Sequence, residues 1–370
     1  MPGKAPLFIN GKFMSGGPAA VHRVAQELIA AVWNLAEDRQ LHLLVPPWLS
    51  RLNNDPGVPA TPVGRLGSGG ATVLGRVGRI AWEQISLPRA ARGGVLLNLC
   101  NMTPLVTRNG LTMVHDAQGF TAPESYPFAN RMWGLLHQRT AGARQLGLLT
   151  VSEFARSELA GFGVAPAERI HVVHNGVDHV LRAPAQDTVL ARLNLAPGGY
   201  ALSLANLQPH KNIAMLIRAF ARTGLAGLKL VLAGKGTRED FAAAGAVATE
   251  NVVFAGYVSD GEMRSLQTHA LAVCTPSLTE GFGLPPVEGL LLGTPAVIAP
   301  CGALPEVCGP GALQADPRDP AAWEAALLRL RDEPGLREEL SRKGKDFAAR
   351  FTWDAAARRL LEVVDTVAPR

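Results

Sequence analysis

Short apolar runs recur along the chain, and longer amphipathic segments separate most of them. Most runs are continuous rather than alternating, which is typical of strands that are buried on both faces. The predicted strands of the first half are Leu7–Asn10, Leu41–Val45, Val95–Cys100, Leu111–His115, Leu146–Val151 and Ile170–Val173. Those of the second half are Tyr200–Ala205, Leu228–Ala233, Val252–Ala255, Ala270–Cys274, Pro295–Ala299 and Ala312–Ala315.

Helical patterns fall between the strands, as in Val21–Leu35, Asn212–Arg222 and Pro320–Arg331. Strand–helix alternation predicts parallel sheets with helices on both faces, an α/β fold. Six strands in each half predict two doubly wound, Rossmann-like domains. Because such sheets bind ligands at the carboxyl ends of their strands, two domains facing each other would enclose a cleft.

Turn residues place the domain boundary between Asn175 and Gly199, where Pro184, Pro197 and Gly198 interrupt the pattern. The predicted organisation is an N-terminal domain over residues 1–180 and a C-terminal domain over residues 181–350. Residues 351–370 are predicted to form a final helix that packs back on the N-terminal domain.

Composition excludes several classes of protein. The chain has 370 residues, of which 47% are hydrophobic and 18% charged, so it can bury large cores and is not a disordered chain. The four cysteines include no Cys-x-x-Cys pair, which argues against a zinc ribbon or a thioredoxin-like site. No apolar segment resembles a signal peptide or a membrane span, so a cytoplasmic location is expected, peripheral to the inner face of the plasma membrane.

One segment carries most of the chemical information: Glu280, followed by Gly-Phe-Gly-Leu-Pro-Pro-Val and then Glu288. Pro286 suits the first position of a helix, which would put Glu288 in the first turn. The free N–H groups of a helix N-terminus bind phosphate, and the glycines let a ligand approach the backbone. Carboxylates accept strong hydrogen bonds from sugar and ribose hydroxyls. The segment therefore predicts a phosphate site flanked by two carboxylates.

The same segment resembles the signature of glycosyltransferase family 4, retaining enzymes with the GT-B fold. Further motifs extend the resemblance over most of the chain, more closely in the second half. They are Asn206-Leu207-Gln208-Pro209-His210-Lys211-Asn212, Leu232-Ala233-Gly234-Lys235-Gly236, Val253-Phe254-Ala255-Gly256-Tyr257-Val258, His174-Asn175-Gly176-Val177-Asp178 and Val114-His115-Asp116. The family often has an arginine five residues before its phosphate lysine, but here Asn206 occupies that position.

The resemblance implies a role for each matching residue. The catalytic residues would be Glu280, which would hold the donor sugar, Lys211, which would neutralise the diphosphate, and His115, beside the sugar. Glu288 would hold the ribose. The remaining donor-binding residues would be Gly16, Gly17, Asn206, Gly234, Lys235, Tyr257, Val258, Phe282, Gly283 and Leu284.

These roles predict a retaining hexosyltransferase. A lysine and a helix N-terminus would stabilise the negative charge that develops on the leaving diphosphate. Because no Asp-x-Asp pair occurs in the sequence, metal-independent transfer is expected, without a cofactor and with GDP or UDP as product. The donor is expected to be a nucleotide sugar, with GDP-mannose favoured, and the acceptor a lipid-linked glycan or polysaccharide of the cell surface. A nucleotide-sugar 2-epimerase of the same fold is the alternative. A periplasmic sugar-binding protein would need an export signal.

Positive charge is concentrated in the first half, where residues 1–180 contain 16 Lys and Arg against 11 Asp and Glu. Residues 181–370 contain 20 of each. No nucleic-acid recognition motif accompanies this charge. The resemblance makes residues 181–350 the nucleotide-sugar-binding domain and residues 1–180 the acceptor-binding domain. The charge is expected to face an anionic membrane surface on the acceptor side, contacted by Arg76, Arg79 and Arg89 of a basic helix. A basic helix that is simply solvated is the alternative. The aromatic residues between Gln118 and Gln138 are predicted to pack mainly in the core.

Overall fold

The computed structural model describes residues 4–15, 19–36, 38–46, 48, 71–73 and 78–368. The chain divides into two compact units, Met1–Gly176 with Thr352–Arg370, and Val177–Phe351. The chain therefore enters the second unit directly after Gly176, and its C-terminal segment returns to the first.

The first unit contains a parallel sheet of seven strands in the order β3-β2-β1-β4-β5-β6-β7. They are β1 (Leu7–Asn10), β2 (Leu41–Val45), β3 (Ala71–Val73), β4 (Val95–Asn98), β5 (Gly110–Met113), β6 (Gly147–Thr150) and β7 (Ile170–Val172). The prediction of six strands in this half was wrong. The extra strand, β3, precedes the predicted basic helix and is formed by pairing with β2, in which Val73 lies opposite Val45.

The second unit contains a parallel sheet of six strands in the order β10-β9-β8-β11-β12-β13. They are β8 (Tyr200–Ala205), β9 (Lys229–Gly234), β10 (Val252–Gly256), β11 (Ala272–Thr275), β12 (Ala296–Ile298) and β13 (Ala312–Gln314). Apolar clusters cover the sheet. One includes Phe220 and Trp323, and another includes Tyr200 and Leu266. Burial on both faces explains why these strands are continuous apolar runs.

Helices connect the strands. In the first unit they are α1 (Ala20–Leu35), α2 (Arg79–Ala81), α3 (Leu87–Ala90), α4 (Gln118–Thr121), α5 (Phe128–Arg144) and α6 (Glu153–Gly161), with a π-helical turn at Trp82–Ser86. In the second unit they are α7 (Thr188–Arg192), α8 (Ile213–Phe220), α9 (Arg238–Ala243), α10 (Asp260–His269), α11 (Leu284–Leu292), α12 (Leu304–Cys308), α13 (Pro320–Asp332) and α14 (Leu336–Ala348). The last helix, α15 (Trp353–Val367), belongs to the first unit.

Helix α15 begins where Thr352 caps it, because the Thr352 hydroxyl accepts a hydrogen bond from the Ala355 N–H. The helix lies against α1, and its Asp365 pairs with Arg39, whose side chain is almost fully buried. The break between α14 and α15 falls at 349–352, near the predicted break at Phe351 and Thr352. Among the described residues, none of the helices has the length and apolar character needed to cross a bilayer.

Candidate functional site

The strand order of the second sheet places a topological switch point between β8 and β11. From β8 the chain continues to β9 and β10 on one side, and it then returns to the other side of β8 at β11. Ligands of doubly wound sheets bind beyond the carboxyl ends of the strands at such a point. The two loops that leave this point contain Lys211, after β8, and Glu280, after β11.

Lys211 ends a 3-10 turn, Pro209–Lys211, and Asn212 stands between that turn and α8 in a left-handed conformation, with φ of 56°. The Asn212 side-chain amide donates hydrogen bonds to the carbonyl oxygens of Pro276, at 3.1 Å, and Pro317, at 2.7 Å. These bonds hold the loop after β8 to the loops after β11 and β13. An asparagine tolerates the left-handed conformation better than most residues, which explains its place beside the lysine.

Lys211 and Glu280 form an ion pair, with 2.8 Å between the lysine Nζ and the carboxylate Oε1. Ser277 Oγ donates to the same oxygen at 2.8 Å. Within the described part of the chain, no group donates to Glu280 Oε2. Glu280 is thus anchored through one oxygen, and the other can accept a hydrogen bond from a ligand hydroxyl. Sequence reasoning did not identify Ser277, and it included Asn212 in a motif without assigning it a role.

The loop after β12 fixes the backbone of Glu280. Ala303 N–H donates to the Glu280 carbonyl at 2.9 Å. Gly302 has a φ of +64°, and a Cβ placed on it would lie 2.4 Å from the Glu280 nitrogen. Only glycine fits here, because the position combines a left-handed backbone with close contact to another backbone. No local sequence pattern indicates that Gly302 supports the carboxylate.

Helix α11 begins at Leu284, earlier than predicted, after Gly283 in a left-handed conformation with φ of 95°. Pro285 and Pro286 are therefore the second and third helical residues, and they have no N–H to donate. The N–H groups of Gly283 and Leu284 have no partner within the helix and remain available for an anion. The preceding residue, Phe282, is buried and packs edge-on against Phe351.

Glu288 lies in the second turn of α11, so the prediction that it occupies the first turn was wrong. The reason is the early helix start at Leu284. Its carboxylate is largely buried between two side chains: Gln267 Nε2 lies 2.9 Å from Oε2, and His179 Nε2 lies 3.2 Å from Oε1. The sequence motif did not indicate His179 or Gln267, because both come from distant segments.

We predict that Glu288→Ala lowers the free energy of unfolding of the full chain by about 1–3 kcal/mol, because His179 and Gln267 each lose a buried hydrogen-bond partner. Glu288→Gln keeps one acceptor oxygen and should cost less. Urea unfolding measures both effects. An alanine variant as stable as the unsubstituted protein would contradict the prediction.

The other predicted donor-binding residues of the second unit lie at the carboxyl ends of β8, β9 and β10. Asn206 follows β8, where its Oδ1 accepts from the Gln208 N–H at 2.9 Å and shapes the loop. Gly234 ends β9 with φ of 133°, and a Cβ there would lie 2.9 Å from the Ala205 carbonyl oxygen. Lys235 is exposed. Tyr257 is 75% exposed and Val258 is buried, directly after β10. Their predicted contacts with a donor stay predictions.

The first unit contains His115, which follows β5. Burial lowers the pKa of His115 to about 4, although its Nε2 lies 2.8 Å from the Leu99 carbonyl oxygen, a contact that favours the charged ring. The ring is therefore neutral at pH 7. The backbone N–H of His115 donates to Asn101 Oδ1 at 2.9 Å. A neutral imidazole suits hydrogen bonding to hydroxyls rather than charge neutralisation, but its place beside a donor sugar stays a prediction.

Three of the predicted residues cannot be compared with the structure. Gly16 and Gly17, predicted near the diphosphate, and Arg76, predicted on the basic helix, lie outside the described residues. Arg79 and Arg89 are both exposed on the helical segment 79–90.

The two doubly wound parallel sheets are those of the GT-B fold. The solved structure of Anabaena HepE in complex with UDP and glucose matches 98% of this chain and 100% of its own, with a TM-score of 0.72 and 16% identity. At that identity the likeness shows the fold alone.

Sequence comparisons identify the family. Residues 194–347 match the family model described as "Glycosyl transferases group 1". The chain is similar to O-antigen chain mannosyltransferase B of Escherichia coli, with 32% identity over 66% of this chain and 67% of the relative. It is also similar to the MMP alpha-(1->4)-mannosyltransferase of Mycolicibacterium hassiacum, with 34% identity over 66% of this chain and 60% of the relative. The chain belongs to the group 1 glycosyltransferases.

Proposed function

We propose that this glycosyltransferase is a retaining, metal-independent hexosyltransferase that uses a nucleotide-sugar donor. The observation that carries the proposal is the arrangement of Lys211, Glu280 and the N-terminus of α11 around one switch point. Lys211 Nζ lies 2.8 Å from Glu280 Oε1. The N–H groups of Gly283 and Leu284, at the start of α11, are available to a ligand.

The chemistry follows from the distribution of charge. In this proposal the donor diphosphate approaches Lys211 and the N–H groups of Gly283 and Leu284, which stabilise the charge left when the glycosyl–phosphate bond breaks. Glu280 keeps its hydrogen bond with Ser277, and its Oε2 accepts a hydrogen bond from a hydroxyl of the hexose. Glu288 holds the ribose. No cofactor is required, since both positive groups belong to the chain.

Mannose is the proposed sugar, because both curated relatives named above are mannosyltransferases. GDP-mannose is the donor that we propose for it. The protein spans about two thirds of the length of the first relative and less of the second. UDP-glucose is the competing donor.

The proposed acceptor is a lipid-linked glycan or a polysaccharide of the cell surface. An O-antigen mannosyltransferase among the relatives supports this class. The excess of Lys and Arg in residues 1–180 supports an anionic surface on the acceptor side, contacted by Arg79 and Arg89. We therefore propose that the protein acts at the cytoplasmic face of the plasma membrane.

A donor screen by calorimetry, followed by transfer assays with and without EDTA, tests the function. We expect GDP-mannose to bind and to donate mannose, with activity unchanged by the chelator. Loss of activity with EDTA would exclude metal-independent transfer. Epimerisation of a UDP-sugar without acceptor would favour the 2-epimerase alternative, and no binding of any nucleotide sugar would refute the proposal.

A further inference from the structure

Helix α5 (Phe128–Arg144) exposes its large apolar side chains and buries polar ones. Phe128 is 74% exposed, and Met132, Trp133 and Leu136 are each more than 40% exposed. The inward-facing residues are His137, Gln138, Ala141 and Gly142. A helix of a globular protein normally has the opposite arrangement, with its apolar stripe toward the core. The sequence-based expectation that these aromatic residues pack in the core was therefore wrong for Phe128 and Trp133.

The exposed residues form one stripe along the helix. Phe128, Met132 and Leu136 follow one another at intervals of four residues, so they lie on adjacent turns of the same side, with Trp133 next to them. We call these four side chains the aromatic stripe. An exposed apolar patch of this kind marks an interaction surface.

Polar contacts fix the orientation of this helix. His137 is fully buried, and its Nδ1 lies 2.6 Å from the Thr103 carbonyl oxygen. Trp133 packs edge-on against the His137 ring, with 4.6 Å between the ring centroids. Turning the aromatic stripe inward would break the buried contact of His137, at a cost in free energy. The stripe therefore stays exposed in the folded first unit.

A second apolar group lies on elements joined to the same loop. Gln84 Oε1 accepts from the Leu105 N–H at 2.8 Å, so the loop that contacts His137 also contacts the helical segment 79–90. That segment exposes Ile80 and Ile85, and the loop exposes Val106 at 61%. Exposed apolar residues of the first unit therefore also occur outside α5, on elements that contact the same loop.

The charge next to the stripe is positive. Residues 125–152 contain three arginines, Arg131, Arg139 and Arg144, and no Asp or Glu. Arg139 and Arg144 are exposed on α5 itself, and the Arg131 guanidinium lies 5.8 Å from the Phe128 ring. Aromatic and aliphatic side chains beside arginines match the boundary between anionic headgroups and acyl chains. A protein partner would complement the apolar stripe, but the three arginines of α5, a helix without Asp or Glu, favour an anionic surface.

We propose that the aromatic stripe of α5 inserts into the surface of an anionic lipid bilayer and docks the first unit there, while Arg139 and Arg144 contact the headgroups. The inference goes beyond the proposed transfer reaction and does not depend on it. Each arginine adds electrostatic attraction to an anionic surface, and salt weakens this attraction. The apolar side chains add binding free energy through burial in the bilayer, which salt does not screen.

Vesicle flotation without donor or acceptor tests the proposal. We expect the full chain to bind vesicles of phosphatidylcholine with phosphatidylglycerol, and to bind pure phosphatidylcholine at least tenfold more weakly. The double variant Phe128→Ser, Trp133→Ser should reduce binding to the anionic vesicles at least tenfold. Arg139→Gln with Arg144→Gln should reduce it at low salt. Trp133→Phe should retain binding, since it keeps an aromatic ring.

Matched controls come from the second unit, where Val247→Ser changes a residue that is 78% exposed and Arg218→Glu an exposed arginine. Both should bind vesicles like the unsubstituted protein. All variants should keep the donor affinity measured by calorimetry, which verifies folding. Unchanged vesicle binding by the stripe variant would overturn the proposal. The proposal would also be overturned if the unsubstituted protein were a dimer and the stripe variant a monomer, because a second copy of the chain would then cover the stripe.

Discussion

Lys211→Met is expected to lower the rate of sugar transfer by about 100- to 1,000-fold, the usual effect of removing one preorganised group that stabilises a developing negative charge. The reason lies in the position of the lysine. It stands beyond β8 at the switch point and contacts Glu280, so no other side chain of the described loops takes the same place. Lys211→Arg should recover part of the activity, because it keeps the charge in a different geometry.

Glu280→Gln provides the companion measurement. It keeps the shape of the side chain but removes the charge that pairs with Lys211 and that accepts strongly from a sugar hydroxyl. We expect at least a tenfold loss of transfer, or about 1.4 kcal/mol. If Lys211 acts on the diphosphate, GDP affinity should fall in the lysine variant more than in the glutamine variant.

Lys345→Met is the matched control for both, since Lys345 is an exposed lysine on α14 of the same unit. It should leave transfer and donor affinity unchanged. Transfer rates within tenfold of the unsubstituted protein for both Lys211→Met and Glu280→Gln would mean that the site is wrongly assigned.

Gly302→Ala is expected to reduce transfer about 100-fold, although residue 302 has no side chain to contact a substrate. Its added Cβ would lie 2.4 Å from the Glu280 nitrogen and 2.7 Å from the Glu280 carbonyl oxygen. The loop must move to relieve this contact, and it takes the Glu280 carboxylate with it. A displacement of about 1 Å can cost about 100-fold in rate.

The left-handed backbone at residue 302 adds a separate cost of about 1–2 kcal/mol in stability. Gly245→Ala isolates that cost, because Gly245 also has a positive φ, of 82°, and a Cβ there would meet nothing within 4 Å. Thermal unfolding and transfer rates are measured on both variants. Gly245→Ala should lose stability and keep activity. Equal activity of Gly302→Ala and Gly245→Ala would show that Gly302 does not position Glu280.

Continuous apolar runs were sufficient to predict twelve of the strands, because a strand buried on both faces is apolar at most of its positions. The strand Ala71–Val73 was missed, since it has only three residues and long-range pairing with β2 is what makes them a strand. The proposed donor site could also be nominated from the sequence, because Lys211, Glu280 and the Gly-Phe-Gly-Leu-Pro-Pro segment belong to local patterns.

What supports those residues could not be read in the same way. Ser277 Oγ at Glu280, Asn212 across three loops and Gly302 against the Glu280 backbone are contacts between segments far apart in sequence. Glu288 was predicted as a ligand group, but its burial against His179 and Gln267 depends on packing of distant elements. No local pattern encodes these partners.

The sequence by itself determined the two-domain α/β class and nominated the residues that we propose for the donor, since hydrophobic period and motif spacing are local properties. Tertiary structure alone decided that Lys211 and Glu280 meet at one switch point, because strand order depends on long-range pairing. It also decided that α5 turns Phe128 and Trp133 outward, since His137 is held inside by Thr103. A periodic pattern shows which residues share a face of a helix, but only packing determines which face is buried.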